Sequence, residues 1–251
     1  MAAAAVLAFV WGLMAGSFLT VVAHRVPRGE SVVGGRSRCP ACGTQIAAYD
    51  NVPVFSWLLL RGKARCCGVS IPVRYPATEL ATALLYAATV LVLWDDAGEI
   101  ALGLVFVSAL VAITITDLER KIIPNKVLIV AAVLGVAIAA VSDPGSLPER
   151  AAAAVAAGGL LFLAAMAYPR GMGLGDVKLA AVMGLFLGRN VGAALLVALL
   201  AGSLVGLGIM AREGAAARKR GIPFGPFLAF GGVVGLLAGD EMTDWYLGTF
   251  S

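Results

Sequence analysis

Gly171-Met172-Gly173-Leu174-Gly175-Asp176-Val177-Lys178 is the stretch on which the reading of this chain turns. It is a glycine-rich turn that delivers one carboxylate to the mouth of an apolar helix. A charged residue at or near a membrane span is costly and marks a functional site by default, with a partner to be named. The partner the sequence offers is Asp117, which ends another apolar run in Ala112-Ile113-Thr114-Ile115-Thr116-Asp117. Two aspartates at facing helix ends would form a carboxylate dyad inside a membrane protein.

Composition supports the membrane half of that reading. The chain is 60% hydrophobic and 14% charged, with a mean hydropathy of +0.92, whereas soluble domains carry about 25% charged residues. Apolar runs fall at 1–23, 80–94, 100–116, 127–142, 151–168, 177–188, 191–211 and 221–239. These predict an all-α polytopic protein of about eight transmembrane helices, since helices satisfy their own backbone in lipid. The first run has no Lys or Arg before Arg25, so it lacks the basic start of a signal peptide and reads as a retained span with its N-terminus outside. The net charge of +4 contains no free-standing basic arm, and nucleic acid is not an expected partner.

Fusing the runs at 177–188 and 191–211 into one helix would give seven spans and invert everything downstream. Charge decides between the two models. With the N-terminus outside, the inside segments carry Arg25, Arg28, Arg36, Arg38, Arg61, Lys63, Arg65 and Arg74, then Arg120, Lys121 and Lys126, then Arg170 and Lys178, then Arg212, Arg218, Lys219 and Arg220. Of the 19 basic residues only Arg150 and Arg189 remain outside. The seven-span model would turn Arg218-Lys219-Arg220 outward, against the positive-inside rule. In the eight-span model both termini are outside and both aspartates lie at the cytoplasmic end of the bundle.

The loop 25–76 is the only part large enough to be a small soluble module, and so short a segment usually needs a staple. It holds all four cysteines: Cys39 and Cys42 in Cys-Pro-Ala-Cys-Gly, then Cys66 and Cys67 in Arg-Cys-Cys-Gly. Thiols facing the cytoplasm stay reduced, which favours metal over disulfides. A four-cysteine, zinc-ribbon-like site is the expectation; a metal-free loop with free thiols is the competing reading, because an adjacent cysteine pair is a poorer chelate. The expected organisation is a first transmembrane helix at 1–24, the cysteine domain at 25–76 and a membrane-embedded domain at 77–251.

A carboxylate pair cleaves a peptide bond when one member is ionised and activates water while the other is protonated and donates to the carbonyl or leaving amine. Gly173 and Gly175 remove side chains beside Asp176 and let a substrate backbone approach. Taken singly, Asp176 also reads as a helix cap and Asp117 as a solvated residue beside Arg120 and Lys121. A proton- or ion-coupled transporter is the alternative for the pair, although such acids more often sit at mid-bilayer. Gly221-Ile222-Pro223-Phe224-Gly225-Pro226-Phe227 and Ile122-Ile123-Pro124-Asn125 are expected as walls of the cleft, Pro124 in a first helical turn. His24 reads as an interfacial residue, and Glu79 as a partner for Arg74.

In combination these residues resemble the type 4 prepilin peptidases. Gly16-Ser17-Phe18-Leu19 with His24-Arg25-Val26-Pro27 is similar to the family's opening span. Cys39-Pro40-Ala41-Cys42-Gly43, Tyr49-Asp50-Asn51-Val52-Pro53-Val54 and Ser56-Trp57-Leu58 are similar to its cytoplasmic domain. Arg74-Tyr75-Pro76 with Glu79-Leu80 follows, then Asp117-Leu118 with Ile123-Pro124 and Gly173-Leu174-Gly175-Asp176-Val177-Lys178. The resemblance implies an aspartic endopeptidase of the G-x-G-D class in the bacterial cytoplasmic membrane. Asp117 and Asp176 would be its catalytic residues, with Gly173, Gly175, Lys178 and Pro124 in support. It would cut the leader from prepilins or pseudopilins of type IV pilus or type II secretion machinery. The resemblance also implies zinc on the cysteines and, in many members, N-methylation with S-adenosylmethionine, for which the sequence shows no strand–G-x-G-x-x-G–helix unit. The chain departs from the family in three places. Ala64 and Cys66 stand where the second cysteine pair is normally Cys-x-x-Cys beginning at 64, Thr20 replaces a common asparagine, and Asn125 stands where aspartate is frequent.

Overall fold

The computed structural model describes residues 1–34, 37–168, 172–213 and 223–250. Arg36, Arg170, Gly171, Arg218, Lys219, Arg220, Gly221 and Ile222, which enter the charge count or the glycine-rich walls above, lie outside the described residues. Among the described residues every regular element is helical, and extended backbone pairs only at two isolated bridges, Arg38 with Gln45 and Lys63 with Ser70. The chain divides into two compact units, Met1–Trp94 and Asp95–Ser251.

The first unit pairs α1 (Ala2–Arg25) with α3 (Arg74–Val92). Gly12 and Gly16, one turn apart on α1, make the contact. A Cβ on Gly12 would come within 2.6 Å of Ala83 Cα, and one on Gly16 within 2.7 Å of Glu79 Cα. Small residues at this spacing let two backbones touch where lipid gives no hydrophobic drive to pair them. Helix α3 starts at Arg74, ahead of the apolar run expected from residue 80, because Pro76 falls in the first turn, where its missing N–H costs nothing. The short α2 (Phe55–Leu59) and the cysteine turns lie between these helices in sequence.

The second unit is an up-and-down bundle of α4 (Ala97–Arg120), α5 (Asn125–Ser142), α6 (Leu147–Ala167), α7 (Leu174–Leu187), α8 (Val191–Glu213) and α9 (Gly225–Phe250). Helix α4 opens on Asp96, whose carboxylate accepts the N–H groups of Gly98 at 2.8 Å and Glu99 at 3.0 Å, a full N-cap. Among the described residues six stretches are long and apolar enough to cross a membrane, and the last of them, Leu174–Arg212, runs to 39 residues. The backbone breaks it. Gly158 faces Ala181, Gly184 faces Ala153 and Gly188 faces Glu149, so α6 and α7 are antiparallel. Gly239 faces Asn190, Gly235 faces Ala194, and Gly202 faces Phe224 and Phe227, so α8 and α9 are antiparallel too. Gly232 faces Met183 and Gly235 also faces Leu187, so α9 runs parallel to α7, and the chain reverses between α7 and α8 at the 3-10 turn Gly188–Asn190. Splitting that stretch and adding α9 gives the eight helices that the charge distribution predicts.

Helix α9 runs well past the apolar run ending at 239. Its second half is held by polar contacts rather than by burial. Asp240 Oδ1 accepts from Arg189 at 3.2 Å and Asn190 at 3.0 Å, and Thr243 donates to Asn190 Oδ1 at 3.0 Å. The core of the bundle is Phe106 stacked on Phe186 at 5.0 Å, with Leu110, Ile113, Leu179, Met183 and Leu228 fully buried around it.

Arg150 fastens the end of the bundle away from the aspartates. It is buried, donates to Phe186 O at 2.6 Å and to Ser146 Oγ at 3.1 Å, and pairs with Glu99. Phe186 O is one of the last carbonyls of α7, a group with no partner inside its own helix. Arg150→Met keeps the bulk but leaves that carbonyl and Glu99 without the guanidinium. Breaking a buried pair by removing one partner costs about 3 kcal/mol or more. A loss of that order is expected in a reversible unfolding titration in mixed micelles.

Candidate functional site

Each aspartate reaches the site because a helix ends or begins there. Helix α4 closes at Lys121, which sits in the left-handed region (φ 54°) and donates its N–H to Asp117 O at 2.8 Å. Asp117 is thereby in the last turn of α4, facing inward and buried. Thr116 beside it is also buried, its hydroxyl turned back onto Ala112 O and Ile113 O. Asp176 is at the third position of α7 and is buried as well. Its Oδ2 accepts the N–H of Gly173 at 3.1 Å. This is half a capping box, since glycine has no side chain to return the bond.

The two readings of Asp176 are therefore compatible: it does cap its helix, and it does so from inside the bundle. Asp117 is not the solvated residue of the competing reading. Helices α4, α7 and α9 pack mutually, and Ile123, just past the end of α4, lies against Gly175 beside Asp176. Acids so placed can divide one proton between them, one ionised and one neutral.

A third element completes the pair. Gly225, the first residue of α9, donates its N–H to Asp117 Oδ2 at 2.8 Å across more than a hundred residues of sequence. A Cβ on Gly225 would lie 2.6 Å from that oxygen and 3.1 Å from Cγ, so only glycine lets the helix start close on the carboxylate. The N-terminal end of a helix also stabilises negative charge. Sequence reasoning anticipates this segment as a wall but misses the donor. The available signal was a glycine between Phe224 and Pro226, at the start of a helix whose first amides have no partner.

The supporting residues form one contact surface. A Cβ on Gly175 would meet Ile123 at 3.1 Å, and Lys178 Nζ donates to Asn125 Oδ1 at 3.1 Å. The α4–α5 turn thus lies against the start of α7. Pro124 sits between those two contacts as the N-cap residue of α5, one position before the first turn in which it was expected. Gly173 would bring a Cβ 3.3 Å from Asp176 Oδ2. Glu79 is not part of this cluster. Its Oε2 accepts the N–H of Val54 at 2.7 Å within the first unit.

The four cysteines also come together. Their sulfurs all lie within 4.8 Å of one another, with Cys42–Cys66 at 3.4 Å, Cys39–Cys67 at 3.6 Å and Cys66–Cys67 at 3.9 Å. Tetrahedral thiolates bound at about 2.3 Å stand about 3.8 Å apart, so the cluster fits one metal ion. Hydrogen bonding with the Thr44 hydroxyl and backbone holds the Cys42 thiol down at about 6. The hydrogen bond to Cys42 pushes Cys66 up to about 12.

The two turns that carry them repeat each other. Cys39 N donates to Thr44 O and Gly43 N to Cys39 O; Ala64 N donates to Val69 O and Gly68 N to Ala64 O. Gly43 and Gly68 have matching φ values of 72° and 71°. Ala64 is thus the counterpart of Cys39, and Cys66 supplies the fourth sulfur from within the turn.

The model of the bacterial peptidase A24 N-terminal domain matches residues 10–93, and that of the type IV leader peptidase family matches residues 104–211. A relative from Aeromonas hydrophila is 35% identical over 97% of this chain and 94% of its own length. One from Bacillus subtilis is 35% identical over 95% and 96%, and one from Myxococcus xanthus 40% identical over 84% and 65%. All three are described as prepilin leader peptidase/N-methyltransferase. No solved structure gives a significant match.

Proposed function

The chain belongs to the type IV leader peptidase family, and from that membership we propose that Asp117 and Asp176 hydrolyse the leader peptide bond of prepilins or pseudopilins. The observation that carries this is the pair of buried carboxylates at adjoining ends of α4 and α7, with Gly225 N–H on one and Gly173 N–H on the other. One carboxylate takes a proton from water as that water attacks the scissile carbonyl. The other gives its proton to the departing amine. Because one acid must be charged and one neutral, kcat/KM falls on both sides of a pH optimum that belongs to the pair.

The positive-inside distribution supports placing this site at the cytoplasmic face of the bacterial inner membrane, with both termini on the other side. The catalytic machinery is contained within 77–251. We propose zinc as the metal of Cys39, Cys42, Cys66 and Cys67, in a structural role: four protein thiolates fill a tetrahedral shell and leave no position for substrate. N-methylation with S-adenosylmethionine rests on the relatives' names, and no residue here is assigned to it. A transporter using the same acids has no support from the relatives. Pilus or secretion assembly proteins are the expected partners.

Mass spectrometry of a co-expressed prepilin tests the reading. Loss of the leader after a single position supports it, and an intact leader contradicts it; the methyl count on the new N-terminus reports the second activity separately. Gly225→Ala is expected to lower kcat by about 10²-fold with KM little changed, the effect of displacing a reacting group by about 1 Å. Kinetics on a leader peptide in micelles check it.

A further inference from the structure

Helix α2 presents three large apolar side chains to the outside, Phe55, Leu58 and Leu59, at 61%, 58% and 84% exposure. The opposite side of this short helix is fixed to its own module. The Ser56 hydroxyl donates to Tyr49 O at 2.9 Å, and Trp57 Nε1 donates to Ile71 O at 3.0 Å. The apolar face is therefore held outward rather than left to rotate. Contiguous exposed apolar groups of this kind mark an interaction surface.

The depth of α2 follows from its tether. The residue before it, Val54, donates its N–H to Glu79 Oε2 at 2.7 Å. Glu79 is buried and lies within α3, its backbone against Gly16 of α1. Helix α3 has 19 residues and is about 28 Å long, against a hydrocarbon thickness of roughly 30 Å. It has no turn to spare, so Glu79, in its second turn, lies at membrane depth. Val54 is drawn to that level in a backbone conformation rare for a β-branched residue, φ 61° and ψ −51°. Such a conformation persists only where the surroundings over-determine it. On α3, Leu80 and Leu84, which follow Glu79, are exposed as well. Arg61 and Lys63, both exposed, follow α2 directly. An apolar face with basic residues at its edge is the chemistry of an interfacial anchor in anionic lipid.

We infer that Phe55, Leu58 and Leu59 lie in the headgroup–acyl boundary of the bilayer, with Arg61 and Lys63 at lipid phosphates, so that α2 is a monotopic anchor for the cysteine module. The photoreactive residue p-benzoylphenylalanine, placed singly at 59, 84 or 41 of the full-length protein, tests this in vesicles of phosphatidylethanolamine and phosphatidylglycerol. Position 84 is the lipid-facing standard, and Ala41, exposed on the first cysteine turn, is the water-facing one. Intact-mass analysis is expected to find lipid adducts at 59 at the level of 84 and well above 41. Arg61→Gln with Lys63→Gln is expected to lower the yield at 59 in these vesicles and to leave it unchanged in vesicles of phosphatidylcholine alone. Yield at 59 equal to that at 41 overturns the inference. So does an adduct at 59 formed only with an added leader peptide, which would make α2 a substrate-docking face.

Discussion

Asp117→Asn and Asp176→Asn should each reduce leader removal by about 10³-fold or more, the scale of losing a positioned proton donor or acceptor, while the protein still inserts. The substitution is chosen by the geometry. Asparagine keeps an oxygen that can accept from Gly225 N–H at position 117 or from Gly173 N–H at position 176, bonds of 2.8 Å and 3.1 Å in the parent. The helix ends therefore stay closed, and what is lost is the ability to pass a proton. Groups that act as a unit are not additive, so the double variant should process no more slowly than either single one. The measurement is the ratio of precursor to mature prepilin on a gel at matched enzyme level. If either variant retained a substantial fraction of parental processing, the corresponding carboxylate would be a helix cap and nothing more.

Metal content gives the second large effect. The purified protein is expected to carry close to one zinc per chain, and Cys39→Ser to lose it. Cys39 is the buried member of the cluster and the origin of the first turn's hydrogen bonds. Cys66→Ser should lose it as well, because that sulfur replaces the one Ala64 cannot supply. The matching of the two turns adds a sharper expectation: Ala64→Cys combined with Cys66→Ala moves the ligand to the position equivalent to Cys39 and should bind metal again. Metal analysis by mass spectrometry, with cobalt as a spectroscopic substitute, reads all three. Equal metal content in parent and Cys39→Ser would remove the site.

Much of the bundle was legible because lipid imposes a simple rule: apolar runs become helices, and basic loops choose a side. That rule located α4 to α9 and rejected a fused α7–α8, which hydropathy alone does not separate. It also put Asp117 and Asp176 at one end. What it could not give depends on contacts between distant segments. Gly225 as a donor to Asp117 and Val54 bound to Glu79 are set by tertiary packing; the place of Ala64 opposite Cys39 was legible from the family's cysteine spacing, but not that Cys66 brings the fourth sulfur into the cluster. Helix ends were misjudged for a related reason. Helix α3 begins early because proline suits a first turn, and α9 continues past Gly239 because Arg189 and Asn190 hold its charged half.

The account depends most on Asp117 and Asp176 meeting at one membrane surface. In a chain whose four native cysteines are changed to serine, Asp117→Cys with Asp176→Cys should give a reducible link between the peptides containing 117 and 176 under mild oxidation, seen by mass spectrometry. Absence of that link, with the two positions labelled by an impermeant maleimide from opposite sides of the membrane, would contradict it.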